Sequence, residues 1–434
     1  MAHNRIGIRE FVELTVRTGD LNPVTSNSNN TAMIGSQIHR KLQAAHRKSD
    51  YEKEVYLKTT VTVNDEDYQL EGRADGVWTE NKTLTVEEIK TSARSWEECS
   101  QNTKDRYWAQ ARIYGHLLCQ QRHQDHAVIT LVYVQTSTDT VSRFTETKSA
   151  AELADDFTDL LDEFTAWLKL RSDIIKQRNA SIATLKFPFP QYRTGQHEFA
   201  AAVYKAIYSR ARLFVQAPTG TGKTISTLFP TIKAMGSGLI QRAFYLTAKQ
   251  STRRVAEQAM ALMADAGLRA KSITLTAKDT ITFADEPDDP SQNPYMLGYY
   301  DRLKPALHDL LEHEDRLTRS VIEAYARKHT LDPFEFSLDA SLFCDVVICD
   351  YNYLFNPLVF LQRFFSEADD SQFFLVDEAH NLVSRARDMY TASLTNQDFI
   401  DLKQALTPFK GAALTKVRRT MTRIVTTMNT LADQ

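Results

Sequence analysis

The nine residues Gln216–Thr224, QAPTGTGKT, decide how the second half of this 434-residue chain is interpreted. A loop that binds nucleotide phosphates needs small residues whose backbone N–H groups turn toward the β-phosphate. It also needs a lysine for the phosphate charge and a hydroxyl for Mg²⁺. Gly220, Gly222, Lys223 and Thr224 supply these groups. Because the apolar stretch RLFVQ precedes the loop and a helical pattern follows it, we predict a strand, a phosphate-binding loop and a helix in that order.

Short apolar stretches alternate with helical patterns throughout this half of the chain. The predicted strands are RLFVQA, RAFYLTA, SITLTA, DVVICDY and QFFLVDE. Such alternation is typical of a parallel sheet covered by helices. The acidic, proline-rich stretch ADEPDDPSQNP interrupts the pattern. It predicts an insertion at about residues 276–340.

The stretch FFLVDEAHN places two carboxylates at the end of an apolar strand. Asp377 is suited to hold Mg²⁺ through water, and Glu378 is suited to polarise the attacking water. On its own, DEAH would more often be a surface tetrapeptide. Its position after four apolar residues, together with the phosphate loop, favours the functional interpretation.

The first 150 residues show a different pattern. A helix is expected from about Thr31, followed by three strand-like stretches, a second helix and a final strand, AVITLVYVQ. The three stretches are KEVYLKTTVTV, DYQLEGRADGVW and KTLTVEEIKTS, and turn signals separate them. The order α-β-β-β-α-β predicts a compact unit with consecutive antiparallel strand pairs. A long amphipathic helix from Ser149 to about Lys176 and a proline-containing connector follow, so we assign residues 151–185 to the connection.

Asp75, Glu88 and Lys90 form a candidate catalytic group in these strands. Phosphodiester cleavage with Mg²⁺ or Mn²⁺ needs carboxylates to hold the ion and a lysine to stabilise the water or the developing charge. Glu88 and Lys90 point to the same face of a strand, and a neighbouring strand could bring Asp75 beside them. The pattern is weak alone, because a solvated strand face would also produce it. Two further pairs support the catalytic interpretation: Gly35 and His39 in GSQIH, and Gln110 and Tyr114 in QARIY.

With these residues, positions 1–150 resemble the RecB-like PD-(D/E)XK nucleases. The resemblance implies roles for a set of residues: His39, Asp75, Glu88 and the Ile89 carbonyl as metal ligands, Lys90 in catalysis, and Gln110 and Tyr114 in positioning the DNA strand.

From about Phe187 onward the chain resembles superfamily 2 helicases of the XPD/DinG-like branch. The resemblance rests on YRTGQ, on the alanine that opens the phosphate loop, on YLTAK and on DYNYLFNP ahead of DEAH. It implies a set of ATP-binding residues, of which Gln196 reads adenine and Thr224 and Asp377 hold the metal: Gln196, Ala217, Gly220, Thr221, Gly222, Lys223, Thr224 and Asp377. It also implies that Thr247 and Lys249 contact single-stranded DNA and that Glu378 is catalytic.

Two features depart from that branch. Many of its members hold a 4Fe–4S cluster on four cysteines, whereas no cysteine occurs here between residues 120 and 343. Thr282, Asn293 and Asp332 stand at three of the expected cysteine places, so we expect no iron–sulfur cluster but a retained insertion. In addition, no QxxGRxxR motif follows DEAH, and the residues after 381 resemble the start of a helical arch. We therefore expect the second motor domain to come from a missing C-terminal part or from another chain.

The amino-acid composition limits the classes of binding partner and the compartment that are expected for this chain. The net charge is −3, so charge that binds DNA must be local. No signal-peptide core and no run of about 18 apolar residues is present, which predicts a cytoplasmic protein without a membrane partner. None of the four cysteines forms a C-x-x-C pair, so we expect core residues in a reduced compartment.

The predicted fold is α/β: a PD-(D/E)XK nuclease domain at residues 1–150, then a RecA-like P-loop domain at residues 186–434 with a helical insertion. The predicted function is an ATP-dependent helicase–nuclease that uses ATP and Mg²⁺ or Mn²⁺ on single-stranded or forked DNA, in repair, recombination or defence. One alternative is an ATP-controlled DNA-binding module that does not unwind DNA. Another is a nuclease with a vestigial ATPase, against which Lys223, Asp377 and Glu378 argue.

Overall fold

The computed structural model describes residues 4–21, 28–46, 50–63, 66–80, 83–218, 220–287, 289–357, 359, 361, 364 and 371–432. These residues build two β-sheets, of six and five strands, with helices packed on both. The predicted α/β fold class is confirmed.

The first sheet lies in the N-terminal part of the chain. Its strands are β1 (Asn4–Gly7), β2 (Glu52–Val63), β3 (Glu66–Glu80), β4 (Thr83–Ser92), β5 (His126–Gln135) and β6 (Thr140–Ser149). They follow the order β1-β3-β4-β5-β6, with β2 also paired to β3. The β2–β3 and β3–β4 pairs are antiparallel, as predicted, and β4 runs parallel to β5. Strands β1 and β6 were not predicted.

Four helices accompany this sheet: α1 (Ile8–Thr15), α2 (Ser28–Ala45), α3 (Gln101–Arg122) and α4 (Ala150–Thr184). Helix α1 was not predicted, and α4 extends beyond the expected end near Lys176. Ser149 fixes the start of α4, because its hydroxyl accepts the Glu152 N–H while the Glu152 carboxylate accepts the Ser149 N–H. Apolar side chains of α1, α3 and α4 pack against the sheet in one core.

The second sheet is entirely parallel. Its strands are β7 (Arg242–Thr247), β8 (Ser272–Thr274), β9 (Arg316–Leu317), β10 (Val346–Asp350) and β11 (Gln372–Val376), in the order β11-β7-β10-β8-β9. The predicted parallel sheet is therefore present, and four of its strands coincide with predicted ones.

The predicted strand RLFVQA, residues 212–217, is wrong. These residues have no regular secondary structure, and the Phe214 side chain is 91% exposed. A strand needs a hydrogen-bonded neighbour for its backbone groups. Among the described strands none pairs with this segment, and β11 is the outermost strand on its side of the sheet. The apolar composition alone therefore did not determine its conformation.

The helices of this part are α5 (Gln196–Tyr208), α6 (Lys223–Gly236), α7 (Gln250–Asp265), α8 (Lys278–Ile281), α9 (Tyr299–His313), α10 (Arg319–His329), α11 (Pro333–Ser341), α12 (Asn352–Phe355), α13 (Leu382–Tyr390), α14 (Asn396–Ala405) and α15 (Ala412–Ala432). Helices α8 to α11 lie between β8 and β10 in the chain and form the predicted helical insertion. No helix in the described ranges combines the length and the apolar character that crossing a membrane requires.

Helix α4 joins the two parts physically. Its Phe164 and Leu168 belong to the core of the first sheet. Its Trp167 and Ile174 belong to the core that contains β8, β10 and the insertion. Further along α4, the buried side chain of Arg178 donates to Asp345 Oδ1 at 2.5 Å, just before β10. The connection is therefore a packed element and not a loose tether.

Two candidate catalytic sites

The first site forms where β3 and β4 lie side by side. Asp75 is on β3, and its Oδ2 accepts the Ile89 N–H of β4 at 2.6 Å. Glu88 and Lys90 flank Ile89 in the chain, and Glu88 Oε1 lies 2.7 Å from Lys90 Nζ. The structure thus brings together the three side chains that the strand spacing suggested.

Helix α2 adds His39 to this group. Its Nδ1 lies 3.2 Å from Asp75 Oδ1. One helical turn later, the buried Gln43 donates to the Asp75 backbone carbonyl at 2.9 Å and to Glu54 Oε1 at 2.8 Å. A role for Gln43 was not predicted, although its i+4 spacing from His39 places both residues on one helix face.

Helix α3 closes the other side of the site. Lys90 Nζ donates to Gln110 Oε1 at 2.8 Å, and Gln110 Nε2 donates to the Tyr114 hydroxyl at 3.2 Å. Tyr114 is only 3% exposed, so it orients Gln110 and does not face a ligand directly. Lys90 Nζ also lies 5.2 Å from the centroid of the Tyr107 ring, a contact that was not predicted.

Burial governs the electrostatics of this site. It raises the pKa of Glu88 to about 7, and Asp75 adds to the rise, although the Lys90 ammonium opposes both. For His39, burial lowers the pKa, but Asp75 outweighs burial and the net pKa is raised. Glu88 Oε2 is buried and has no hydrogen-bond partner. A buried carboxylate oxygen without a partner is costly, so this group of residues suits a cation.

The oxygens are not arranged around an ion. Across the described ranges, no three His, Cys, Asp or Glu side chains meet in a geometry that would hold one. Here Asp75 Oδ2 is occupied by the Ile89 N–H and Glu88 Oε1 by Lys90. Glu88, whose Oε2 has no hydrogen-bond partner, would hold a divalent ion together with Asp75 and His39.

The second site is built around the phosphate loop. Gly220 and Gly222 have φ values of 81° and 78°, which glycine adopts readily, and α6 begins at Lys223. At Gly222, an added Cβ would displace the side-chain amide of Gln196. Thr221 Oγ1 donates to the Pro218 carbonyl at 2.8 Å, next to Ala217. Thr219 lies outside the described residues.

The two carboxylates after β11 reach this loop. Lys223 Nζ lies 3.0 Å from Glu378 Oε1, and this hydrogen bond lowers the pKa of Glu378. Burial raises the pKa of Asp377. The Tyr245 hydroxyl lies 3.3 Å from Thr224 Oγ1. The loop and the DEAH segment therefore face each other, 155 residues apart in the chain.

A cavity of about 310 Å³ opens beside the loop. Its lining residues are Phe189, Pro190, Gln191, Arg193, Gln196, Gly222 and Ile225. Gln196 Oε1 accepts the Arg193 N–H at 3.0 Å, which fixes the amide at the cavity wall. The cavity is thus placed to receive a planar group attached to phosphates in the loop.

The two predicted DNA-contacting residues at the end of β7 differ in exposure. Thr247 is fully buried, and its hydroxyl donates to the Cys349 carbonyl at 3.4 Å. Lys249, just before α7, is exposed. Only Lys249 therefore presents its side chain to a ligand in this arrangement.

Residues 26–194 match the model of the PD-(D/E)XK nuclease superfamily, and residues 299–399 match the DEAD_2 model. The chain joins a PD-(D/E)XK nuclease domain to a DEAD_2 helicase domain. It is also similar to the probable ATP-dependent helicase MJ0942 of Methanocaldococcus jannaschii, with 40% identity over 47 residues, or 11% of this chain. The match spans only 7% of that relative's length.

Two solved structures are similar to parts of this chain. The structure titled "Crystal structure of SSO0001" is 22% identical, with a TM-score of 0.26, covering 37% of this chain and 77% of that one. The structure titled "XPD_Helicase" is 15% identical, with a TM-score of 0.38, covering 55% of this chain and 40% of that one.

In the helicase domain, polar side chains stand at the expected cysteine places of the insertion. Thr282 Oγ1 donates to the Lys278 carbonyl at 2.9 Å. Asn293 accepts the Tyr295 N–H at 2.9 Å and donates to Glu286 Oε2 at 3.1 Å. Asp332 caps α11 by accepting the Glu335 N–H at 2.8 Å. Local hydrogen bonds thus hold the backbone at these three positions.

Proposed function

We propose that this chain is an ATP-dependent helicase–nuclease that acts on single-stranded or forked DNA. The observation that carries the proposal is the presence of two polar clusters in one chain. One holds Asp75, Glu88 and Lys90, and the other holds Lys223 and Glu378. DNA repair, recombination and defence against foreign DNA are the processes that such an enzyme would serve, in the cytoplasm.

In the nuclease domain, His39, Asp75, Glu88 and the Ile89 carbonyl would hold Mg²⁺ or Mn²⁺. The bound ion would activate a water molecule and neutralise charge on the scissile phosphate. Lys90 places its ammonium beside this position and would stabilise the developing negative charge. Gln110 fixes Lys90 through a 2.8 Å hydrogen bond, and Tyr114 in turn fixes Gln110. Gln110 would also position the DNA strand.

In the helicase domain, ATP would bind with its base in the cavity beside Gln196 and its phosphates in the loop from Ala217 to Thr224. The hydroxyl of Thr224 and the Asp377 carboxylate would hold Mg²⁺. Nucleotide phosphates would draw Lys223 away from Glu378, which frees that carboxylate to orient the attacking water. This is the role expected of a DEAH-box glutamate.

DNA would reach the motor at the end of β7, where Lys249 is exposed. We further propose the domain bounds 1–150, 151–185 and 186–434, with an arch-like region after 381. A second motor domain would have to come from further sequence or from another chain. The single parallel sheet would also serve a second candidate function, an ATP-controlled DNA-binding module that does not unwind DNA.

The test compares wild type with Lys90→Ala and Lys223→Ala on labelled single-stranded and forked DNA, with and without ATP and Mn²⁺. Lys90→Ala is expected to abolish cutting and keep ATP hydrolysis, and Lys223→Ala to do the reverse. Lys58→Ala, on an exposed position of β2, is the control for loss of a surface charge. Cutting that survives in Lys90→Ala would overturn the nuclease assignment. Cutting without strand separation would support the second candidate.

A further inference from the structure

We propose that Tyr351 is a positioning residue for ATP hydrolysis, which ties the DNA-facing end of β7 to the Asp377–Glu378 pair. This inference rests on the proposed ATPase function. It adds a residue that belongs to neither the phosphate loop nor the DEAH segment.

Tyr351 is fully buried directly after β10. Its hydroxyl donates to the backbone carbonyl of Asp377 and, at 3.1 Å, to that of Glu378. Its N–H donates to the Thr247 carbonyl at 3.2 Å. The residue that directly follows the central strand is therefore hydrogen-bonded to residues at the ends of two other strands, β7 and β11.

The backbone of Glu378 explains why these hydrogen bonds matter. Its φ of 52° lies in the left-handed region, which is unfavourable for a residue with a Cβ atom. The Glu378 carbonyl accepts from the Tyr351 hydroxyl and also from the N–H and side-chain amide of Asn381, at 2.9 and 3.0 Å. These donors hold the turn that brings the Glu378 carboxylate to 3.0 Å from Lys223.

The tyrosine remains a donor at neutral pH. Burial, together with the Asp377 and Glu378 carboxylates, raises the pKa of Tyr351 to about 12. The residue before Tyr351 is anchored as well, because Arg385 of α13 donates to Asp350 Oδ1 at 2.6 Å. The Tyr351 hydroxyl is thus a fixed point against which the catalytic turn is set.

The same residue offers a route from DNA to the nucleotide site. Thr247, whose carbonyl accepts the Tyr351 N–H, lies two residues before the exposed Lys249. A shift of the β7 end on DNA binding would move Tyr351, and with it the carbonyls of Asp377 and Glu378. Tyr351 should therefore affect both the turnover of ATP and its stimulation by DNA.

Tyr351→Phe tests this proposal, because it retains the ring and removes only the hydroxyl. ATP turnover is measured as phosphate release, with and without single-stranded DNA. The expected result is a kcat lowered about tenfold or more, with an unchanged KM for ATP and weaker stimulation by DNA. Asn381→Ala, which removes the other side-chain donor to Glu378, is expected to show the same selective loss of kcat. A kcat within twofold of wild type in Tyr351→Phe would overturn the proposal.

Tyr353→Phe is the matched control. Tyr353 lies in the short helix α12, which directly follows Tyr351, and its hydroxyl donates to the Thr276 carbonyl at 3.3 Å and not to the Asp377–Glu378 turn. Cutting by the nuclease domain with Mn²⁺ and no ATP reports whether each variant is folded. A rise in KM without a fall in kcat would also contradict a positioning role. If wild type itself releases no phosphate from ATP, the proposed function fails and this inference fails with it. If wild type hydrolyses ATP and Tyr351→Phe keeps the same kcat, this inference fails while the proposed function stands.

Discussion

Arg17 and Asp339, which are 322 residues apart in the chain, form an ion pair with 3.2 Å between Nη1 and Oδ1. Arg17 follows α1, and Asp339 belongs to α11 of the insertion. Further hydrogen bonds run along the same line: Leu21 N to Met296 O, Tyr300 N to Gly19 O, Gly19 N to Asp301 and Gly298 N to Asp20. The segment 16–21 is thus bound along the insertion, and with α4 it fixes the nuclease domain to the helicase domain.

Arg17→Ala is expected to lower the free energy of unfolding by about 2–3 kcal/mol, because it removes the cation beside a buried carboxylate. The Asp339 side chain is only 6% exposed. Chemical denaturation followed by tryptophan fluorescence measures the change. Arg9→Ala is the control, since Arg9 is 82% exposed in its pair with Glu13 and is expected to contribute below about 0.5 kcal/mol. Equal losses in the two variants would contradict a structural role for the Arg17–Asp339 pair.

The local sequence pattern was enough to predict that Asp75, Glu88 and Lys90 lie together, but not the contact between the two parts of the chain. Strand alternation placed Glu88 and Lys90 on one face, and antiparallel pairing brought Asp75 to them, as the register shows. Gln43 and Tyr107 were missed because their roles depend on helix packing against the sheet. The exposed segment around Phe214 has the composition of a strand, but strand formation also requires a partner, which composition does not reveal.

The pKa of Glu88 predicts how metal binding depends on pH. With its pKa at about 7, Glu88 carries a proton below that pH, and this proton must leave before the carboxylate binds an ion. The apparent affinity for Mn²⁺ should therefore fall about tenfold for each pH unit below 7, and level off above it. The fall should be steeper where His39, whose pKa is also raised, is protonated.

Calorimetric titration of nucleotide-free Lys223→Ala protein between pH 5.5 and 8 measures this dependence. The double variant Glu88→Gln/Lys223→Ala lacks the titrating carboxyl group. It should bind Mn²⁺ more weakly and show no change of affinity near pH 7 that is due to Glu88. In the metal-free protein, the stability of the fold depends on pH with the opposite sign. The raised pKa means that the proton on Glu88 stabilises the fold fully below the ordinary value of 4.5, and this contribution is lost as the pH rises through about 7. An affinity independent of pH would exclude Glu88 as the ligand.

The insertion is expected to fold without an iron–sulfur cluster. Thr282, Asn293 and Asp332 make hydrogen bonds at the places where the family resemblance would put cysteines. The Arg327 guanidinium lies 3.7 Å from the centroid of the Phe283 ring and pairs with Asp285 at 2.5 Å. Protein purified without oxygen should show no absorbance band near 400 nm and no bound iron. Arg327→Ala should make the insertion more sensitive to proteolysis, whereas Arg319→Ala, in an exposed pair on α10, should not. Stoichiometric iron would refute the expectation.

Gln196 should determine which nucleotide the motor uses. It is buried at the wall of the cavity, with Oε1 held by the Arg193 N–H. Its Nε2 lies toward Gly222 of the phosphate loop. An amide fixed in this way can pair with the edge of adenine but not equally with guanine, because a buried donor or acceptor without a partner is costly.

Gln196→Ala is expected to raise the KM for ATP about tenfold and leave the KM for GTP nearly unchanged. Gln191→Ala, which changes an exposed residue of the same cavity, should alter neither constant appreciably. Equal changes for ATP and GTP in Gln196→Ala would mean that the residue supports the loop and does not read the base.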